Sequence, residues 1–201
     1  MCLYTFSAEA RTAADFFISA SDEILPLLPQ NTRLDMLDYF SSGLPTPSPN
    51  ATRGQARIIL NEPSKLQAVL SRDSNIQFAL IPGGRDTVVA VIETVLTPVA
   101  DSSVSFYDTS WQPLDITMPA IEPLDFVPAE LRKEAAAAEL PDVAFGTIEF
   151  NPVTGCLTVN NTTAGYYTEQ DRPDGLALMK TSLNYILKGN RLRKLETTTE
   201  K

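Results

Sequence analysis

A chain of 201 residues, 43% hydrophobic and 20% charged, suits one folded domain of ordinary size or two small halves sharing a core. Its formal charge of −9 repels phosphate backbones, which argues against nucleic acid as a partner. With no histidine and only two cysteines, Cys2 and Cys156, one chain cannot build a Ser-His-Asp triad, a Cys-His pair, a His-ligated zinc or a four-thiolate metal site.

Ala8-Glu9-Ala10 fits the small-x-small pattern of a signal-peptidase site, and Leu3, Tyr4 and Phe6 precede it. No basic segment stands before them and the apolar run is short. Residues 1–10 therefore read as the residual end of a signal peptide, against the alternative of an ordinary N-terminus. A Cys2–Cys156 disulfide is open to the intact chain but not to one cleaved there. No later run nears the ~20 apolar residues that cross a bilayer, so no transmembrane segment is expected in the mature chain.

Residues 12–43 read as helical. Thr12 and Asp15 have the spacing of a capping box, with Ala13, Phe16, Phe17 and Ala20 on one face. A short helix is expected from Ser21, limited by Pro26 and Pro29. A third helix begins at Asn31 or Thr32, with Leu34, Leu37 and Phe40 at helical spacing and Gly43 as its stop. Asp35 and Asp38 share that helix and are expected on its wet face.

After the Pro/Ser loop of residues 44–55 the period changes to two. Ile58 and Leu60 open a strand. Leu66, Ala68 and Leu70, then Ile76, Phe78 and Leu80, mark two more. Pro82-Gly83-Gly84-Arg85-Asp86 reads as a hairpin connection. Residues 87–96 are almost continuously apolar, which predicts a central strand covered on both faces. The next strand spans about 103–108, with Val104 and Phe106 on one side and Ser105 and Tyr107 on the other. Asp101-Ser102 is expected to shape the turn into it and Asp108-Thr109-Ser110 the turn out, with Trp111 folding over the sheet's end as a packing anchor. Without histidine, no base turns Asp101, Ser102 and Asp108 into a triad.

Residues 112–128, rich in proline and acids, form a connector. Helix formers fill residues 129–140 and predict a helix. Residues 143–150 and 156–161 make a hairpin around Asn151-Pro152-Val153-Thr154-Gly155. A short helix is expected over 169–180, then a last hairpin, 183–188 with 191–195. The tail, 196–201, is expected to be disordered. The prediction is α+β: N-terminal helices packed on an antiparallel β-meander, with a second helix-plus-hairpins half. The domain would span 11–195, with possible halves 11–112 and 129–195.

The motifs that suggest chemistry are weak. Pro82-Gly83-Gly84 lacks the spacing of a phosphate loop, and Asp171-Arg172-Pro173-Asp174-Gly175 lacks that of a calcium loop. Asn50-Ala51-Thr52, Asn160-Asn161-Thr162 and Asn161-Thr162-Thr163 fit the glycosylation sequon, a pattern short enough to recur by chance. Cys156 reads as a small buried hydrophobe. Tyr166-Tyr167 reads as packing on a sheet rather than as an exposed contact. Arg191, Arg193 and Lys194 are a basic patch too small to reverse the charge. Two carboxylates need no local motif, so a glycan hydrolase stays an alternative, yet nothing selects two of the 25 acids.

The residues Thr12-Ala13-Ala14-Asp15-Phe16-Phe17, Leu25-Pro26-Leu27-Leu28 and Arg33-Leu34-Asp35-Met36-Leu37-Asp38-Tyr39 resemble an uncharacterised family of secreted or periplasmic proteins of Bacteroidales. Thr94-Val95, Pro98, Asp101-Ser102, Phe106-Tyr107 and Trp111 are similar to the family's middle section. The stretch 185–189 is similar to its end. The resemblance implies a full signal peptide and no assigned activity, so no functional residue is carried over. The layout is also similar to β-lactamase-inhibitor-like and PepSY-like modules, which bind proteins. The reading is a non-enzymatic interaction module without cofactor, catalytic residue or metal, binding an unknown protein or envelope component. Its structural signature is Asp101, Ser102, Phe106, Tyr107 and Trp111. A carboxylate hydrolase on glycans and a small-ligand carrier are the alternatives.

Overall fold

The computed structural model describes residues 10–44, 46–83 and 86–195. The signal-peptide reading, Cys2 and the tail expectation fall essentially outside these residues. Two helices, α1 (Ala13–Ser19) and α2 (Gln30–Ser41), precede six strands. These are β1 (Ser48–Pro49), β2 (Gln55–Glu62), β3 (Lys65–Ser71), β4 (Ser74–Pro82), β5 (Thr87–Val95) and β6 (Asp101–Tyr107). They form one antiparallel meander in sequence order. A connector with the short α3 (Arg132–Ala135) leads to β7 (Gly146–Asn151), β8 (Cys156–Asn161), β9 (Ser182–Lys188) and β10 (Arg191–Leu195), a second antiparallel meander. The architecture is α+β.

The two middle strands set the layering. Ile76 to Ile81 and Val88 to Ile92 are buried without a break, the pattern of strands covered on both faces. Phe78, Leu80, Val89 and Val91 point to the helices, where they meet Phe16, Phe17 and Leu28. Ala79, Ile81, Ala90 and Ile92 point the other way, to Phe150, Leu157, Leu183 and Tyr185 of the second sheet. Helices, first sheet and second sheet are therefore three stacked layers with two cores. No helix among the described residues is long and apolar enough to cross a membrane.

α1 starts on the expected capping box. The Thr12 hydroxyl accepts from the Asp15 N–H at 3.3 Å, and the Thr12 N–H donates to Asp15 Oδ2 at 2.7 Å. α2 departs from its expected orientation. Leu34 is 43% exposed and Phe40 38%, whereas Arg33 and Met36 are buried. Arg33 decides this. Its guanidinium donates to the carbonyls of Phe17, Ile18 and Ala20 at the end of α1, at 2.9, 3.0 and 2.6 Å. Those carbonyls are the unsatisfied acceptors of a helix terminus, at the negative end of its dipole. Turning the Leu34 face inward would withdraw that donor.

Three predicted helices shrink or vanish. The segment after Ser21 makes single turns only, since Pro26 and Pro29 remove backbone donors. Residues 129–140 give a 3-10 turn, Ala129–Leu131, and the four-residue α3. Only Ala135 of that helix is buried, and a helix this short needs an apolar face against the protein to persist. Within 169–180 only Asp174–Leu178 is wound, as a 3-10 helix behind Pro173. The strands hold more closely. β2 begins at Gln55 rather than Ile58, and β7 at Gly146 rather than Val143.

Candidate functional site

The structural signature lies on and just after β6, the outer edge of the first sheet, with residues 113–118 beside it. Asp101 and Ser102 belong to β6 itself, rather than to a turn before it. Asp101 accepts the Gly146 N–H at 3.0 Å, and Ser102 shares a 2.7 Å hydrogen bond with Thr94. Phe106 is buried in the inter-sheet core. Tyr107 packs toward the helices. Asp108 then builds the corner, its Oδ1 accepting from the N–H groups of Ser110 and Gln112 at 2.8 and 2.9 Å.

Trp111 is half-buried, not fully buried, and it adopts φ 65°. Its ring meets Phe16, Phe78 and Tyr107 edge-on, with centroids 5.8, 6.1 and 5.4 Å apart. Its Nε1 donates to Ser19 Oγ at 3.2 Å. Arg11 completes the corner by donating to Ser19 Oγ and the Thr109 carbonyl while lying 3.9 Å over the Phe16 ring. Trp111 thus ties the end of β6 to α1.

Among the described residues, four strand edges bound the two sheets, and three are protected. β1 is two residues long and contains proline, and β2 has an irregular register around Ile59. β10 displays Arg191, Arg193 and Lys194, all exposed. β7 lies against the first sheet, where its Gly146 and Phe150 N–H groups meet Asp101 and Gln77 side chains at 3.0 Å each. The Lys65–Glu149 ion pair, 2.8 Å, reinforces that join.

β6 is the exception. Its register with β5 is unbroken, and between Asp101 and Asp108 it holds no charge and no proline. Leu114 donates to the Phe106 carbonyl at 2.9 Å from the side away from β5. The two backbone groups of an antiparallel residue point the same way, and the direction alternates along the strand. Ser102, Val104 and Phe106 therefore aim N–H and C=O outward. Beyond the Leu114 contact, these groups meet no backbone or side-chain partner among the described residues. The chain pairs beside β6 at Pro113 and Leu114, and residues 116–118 then flank it across a groove of about 430 Å³. Val104, Ile116, Met118 and Ile148 make its apolar side.

Two other depressions bear on the alternatives. One, of about 350 Å³, lies between α2 and β2 and is bordered by the exposed Phe40, Leu44 and Ile59. Another, of about 330 Å³, is lined by Glu93 and Asp101. These acids are diagonal neighbours across the β5–β6 pair, a relation that places backbones about 7–8 Å apart. Asp35 and Asp38 are exposed. Cys156 is buried at the start of β8. Asn50 is buried, with its amide donating to the Leu70 carbonyl. Tyr166 is 54% exposed and leans on Phe145 and Tyr167.

The sequence reading missed Arg33 and the open β6 edge. A lone arginine three residues before Met36 was a signal for the first. The second had a faint one, a seven-residue strand with a single charge.

Layered helices and two antiparallel meanders define an α+β sandwich whose accessible features are a strand edge and shallow grooves. Within that class, the chain belongs to a family of proteins of unknown function, DUF3256, which matches residues 5–191. Its structure is similar to a domain of an uncharacterised protein from Porphyromonas gingivalis W83, with a TM-score of 0.68 and 18% identity. The likeness covers 92% of this chain and 99% of that one and concerns the fold. No curated protein matches the chain.

Proposed function

We propose that this protein is a non-catalytic interaction module that works in the periplasm or as a secreted protein and docks another protein or envelope component through its sheet edge. The observation that carries the reading is the unprotected β6 edge, in a molecule whose other three edges are short, charged or covered. The location rests on Ala8-Glu9-Ala10 and on the resemblance to secreted and periplasmic proteins. A resemblance of layout to β-lactamase-inhibitor-like and PepSY-like modules, read from the sequence alone, supports a binding role by fold analogy. The test is a pull-down from envelope extract with the wild-type chain and with Val104→Pro. A partner that the wild type retains and the variant loses is expected. Recovery of nothing above background by the wild type would overturn the reading.

A carboxylate hydrolase is the second reading, favoured by Glu93 and Asp101 in one depression. It expects a glycan-cleaving activity that Glu93→Gln and Asp101→Asn each abolish. No cleavage across a panel of envelope glycans would remove it.

A further inference from the structure

Resting on the interaction reading, we infer that the partner is an extended, cationic segment of a different protein, added as a strand along β6 in the groove beside residues 114–118. Three observations lead there. First, the exposed chemistry is backbone chemistry. The N–H and C=O of Ser102 and Val104 and the N–H of Phe106 sit at strand spacing, and a peptide in β conformation is the ligand that satisfies such a row.

Second, the two sides of the edge differ. Val104, Met118 and Ile148 make one side apolar, so alternate partner side chains entering the groove are apolar. Ser103 and Ser105 make the other side, where Glu93 stands opposite Ser103.

Third, the charge is of one sign. Asp101 stands at one end of the edge, Asp108 at the other, and Asp115 on the flanking chain. No lysine or arginine is among the described residues lining the groove. With a charge of −9, the chain also repels a second copy of itself, which turns the occupant away from self-pairing.

The experiment uses the isotopically labelled full chain and two peptides of about six residues, one alternating valine with lysine and one alternating valine with glutamate. Hydrogen exchange of the β6 amides is read by NMR. In the free chain, Ser102 and Val104 should exchange faster than Ser103 and Ser105, whose amides face β5. The lysine peptide should slow Ser102 and Val104 selectively, and salt should weaken it. The glutamate peptide should bind severalfold more weakly. Val104→Pro, which removes one outward N–H where an edge strand tolerates proline, should lose binding, whereas Val104→Thr should keep it.

Equal or tighter binding of the glutamate peptide would overturn the cationic partner. Unchanged Ser102 and Val104 exchange at saturating lysine peptide would overturn strand addition. A concentration-dependent dimer lost in Val104→Pro would show that the occupant is a second copy. An envelope partner that Val104→Pro loses but the lysine peptide does not displace would leave docking at the sheet edge standing and sink this one.

Discussion

Trp111 occupies the left-handed region, where a bulky L-residue costs about 1–2 kcal/mol. The cost is offset by three edge-on aromatic contacts, each contributing about 0.5–1.5 kcal/mol beyond burial. Trp111→Ala keeps the strain and loses the contacts. Being only half-buried, Trp111 should cost about 2–3 kcal/mol on that change, below the range for a fully buried tryptophan. Trp111→Gly loses the same contacts but relieves the backbone, so it should be the less destabilised of the two. Urea denaturation of both variants gives the order, and a less stable glycine variant would contradict it. Asp15 works through its charge. Hydrogen bonds from Thr12 hold its carboxyl below the ordinary Asp value of 3.8. A group depressed on folding adds stability above its unfolded pKa and loses it as pH falls through its folded one. The stability gap between wild type and Asp15→Asn should therefore be full at pH 6 and close progressively below about pH 4. A gap that does not change with pH would contradict the capping role of the charge.

The two N-terminal helices act as one unit, because an arginine of the second caps the end of the first. Burial lowers the Arg33 pKa, with Asp22 opposing the shift, yet the group stays charged at neutral pH. Arg33→Met fills similar space but leaves the Phe17, Ile18 and Ala20 carbonyls without their donor. A loss of about 3–5 kcal/mol is expected in chemical denaturation. Arg33→Lys should recover only part of it, because one ammonium cannot both serve the three carbonyls that Nη1 meets and replace the Nη2 bond to Asp22. Full recovery would mean that charge alone suffices. α2 also marks a limit of periodicity. Leu34, Leu37 and Phe40 have helical spacing, yet of the three only Leu37 packs against the core, because polar demand at the end of α1 turned the helix toward Arg33 and Met36. The propensity of residues 129–140 was likewise overridden, since Ala135 alone of that segment is buried.

At the scale of the molecule, the second sheet is joined to the first through a few polar contacts set in an apolar interface. Gln77 is 5% exposed, and its Oε1 accepts the Phe150 N–H at 3.0 Å. Gln77→Met keeps the volume and leaves that N–H buried without a partner. The expected loss is about 1–3 kcal/mol, with faster exchange of the Phe150 amide in the same variant. Unchanged stability and exchange would show that the interface relaxes enough to wet the edge of β7. The same join explains the asymmetry that motivates the functional reading. It covers β7 with β4 and β6 side chains and leaves β6 to a connector whose last backbone bond to it is at Leu114.

By itself the sequence determined the α+β class, the capping box at Thr12, nearly all the strands and the double burial of β5. These follow from local spacing: a period of two, a continuous apolar run, a hydroxyl three residues before an acid. It also placed Val104 and Phe106 on one side of β6 and Tyr107 on the other. Tertiary structure alone decided which strand would be an edge, which edges would be covered, and where Arg33 would point. Each depends on groups far apart in the chain, Gln77 with Phe150, Asp101 with Gly146, Arg33 with Phe17, and no local period encodes a backbone N–H that meets its acceptor only when two sheets stack.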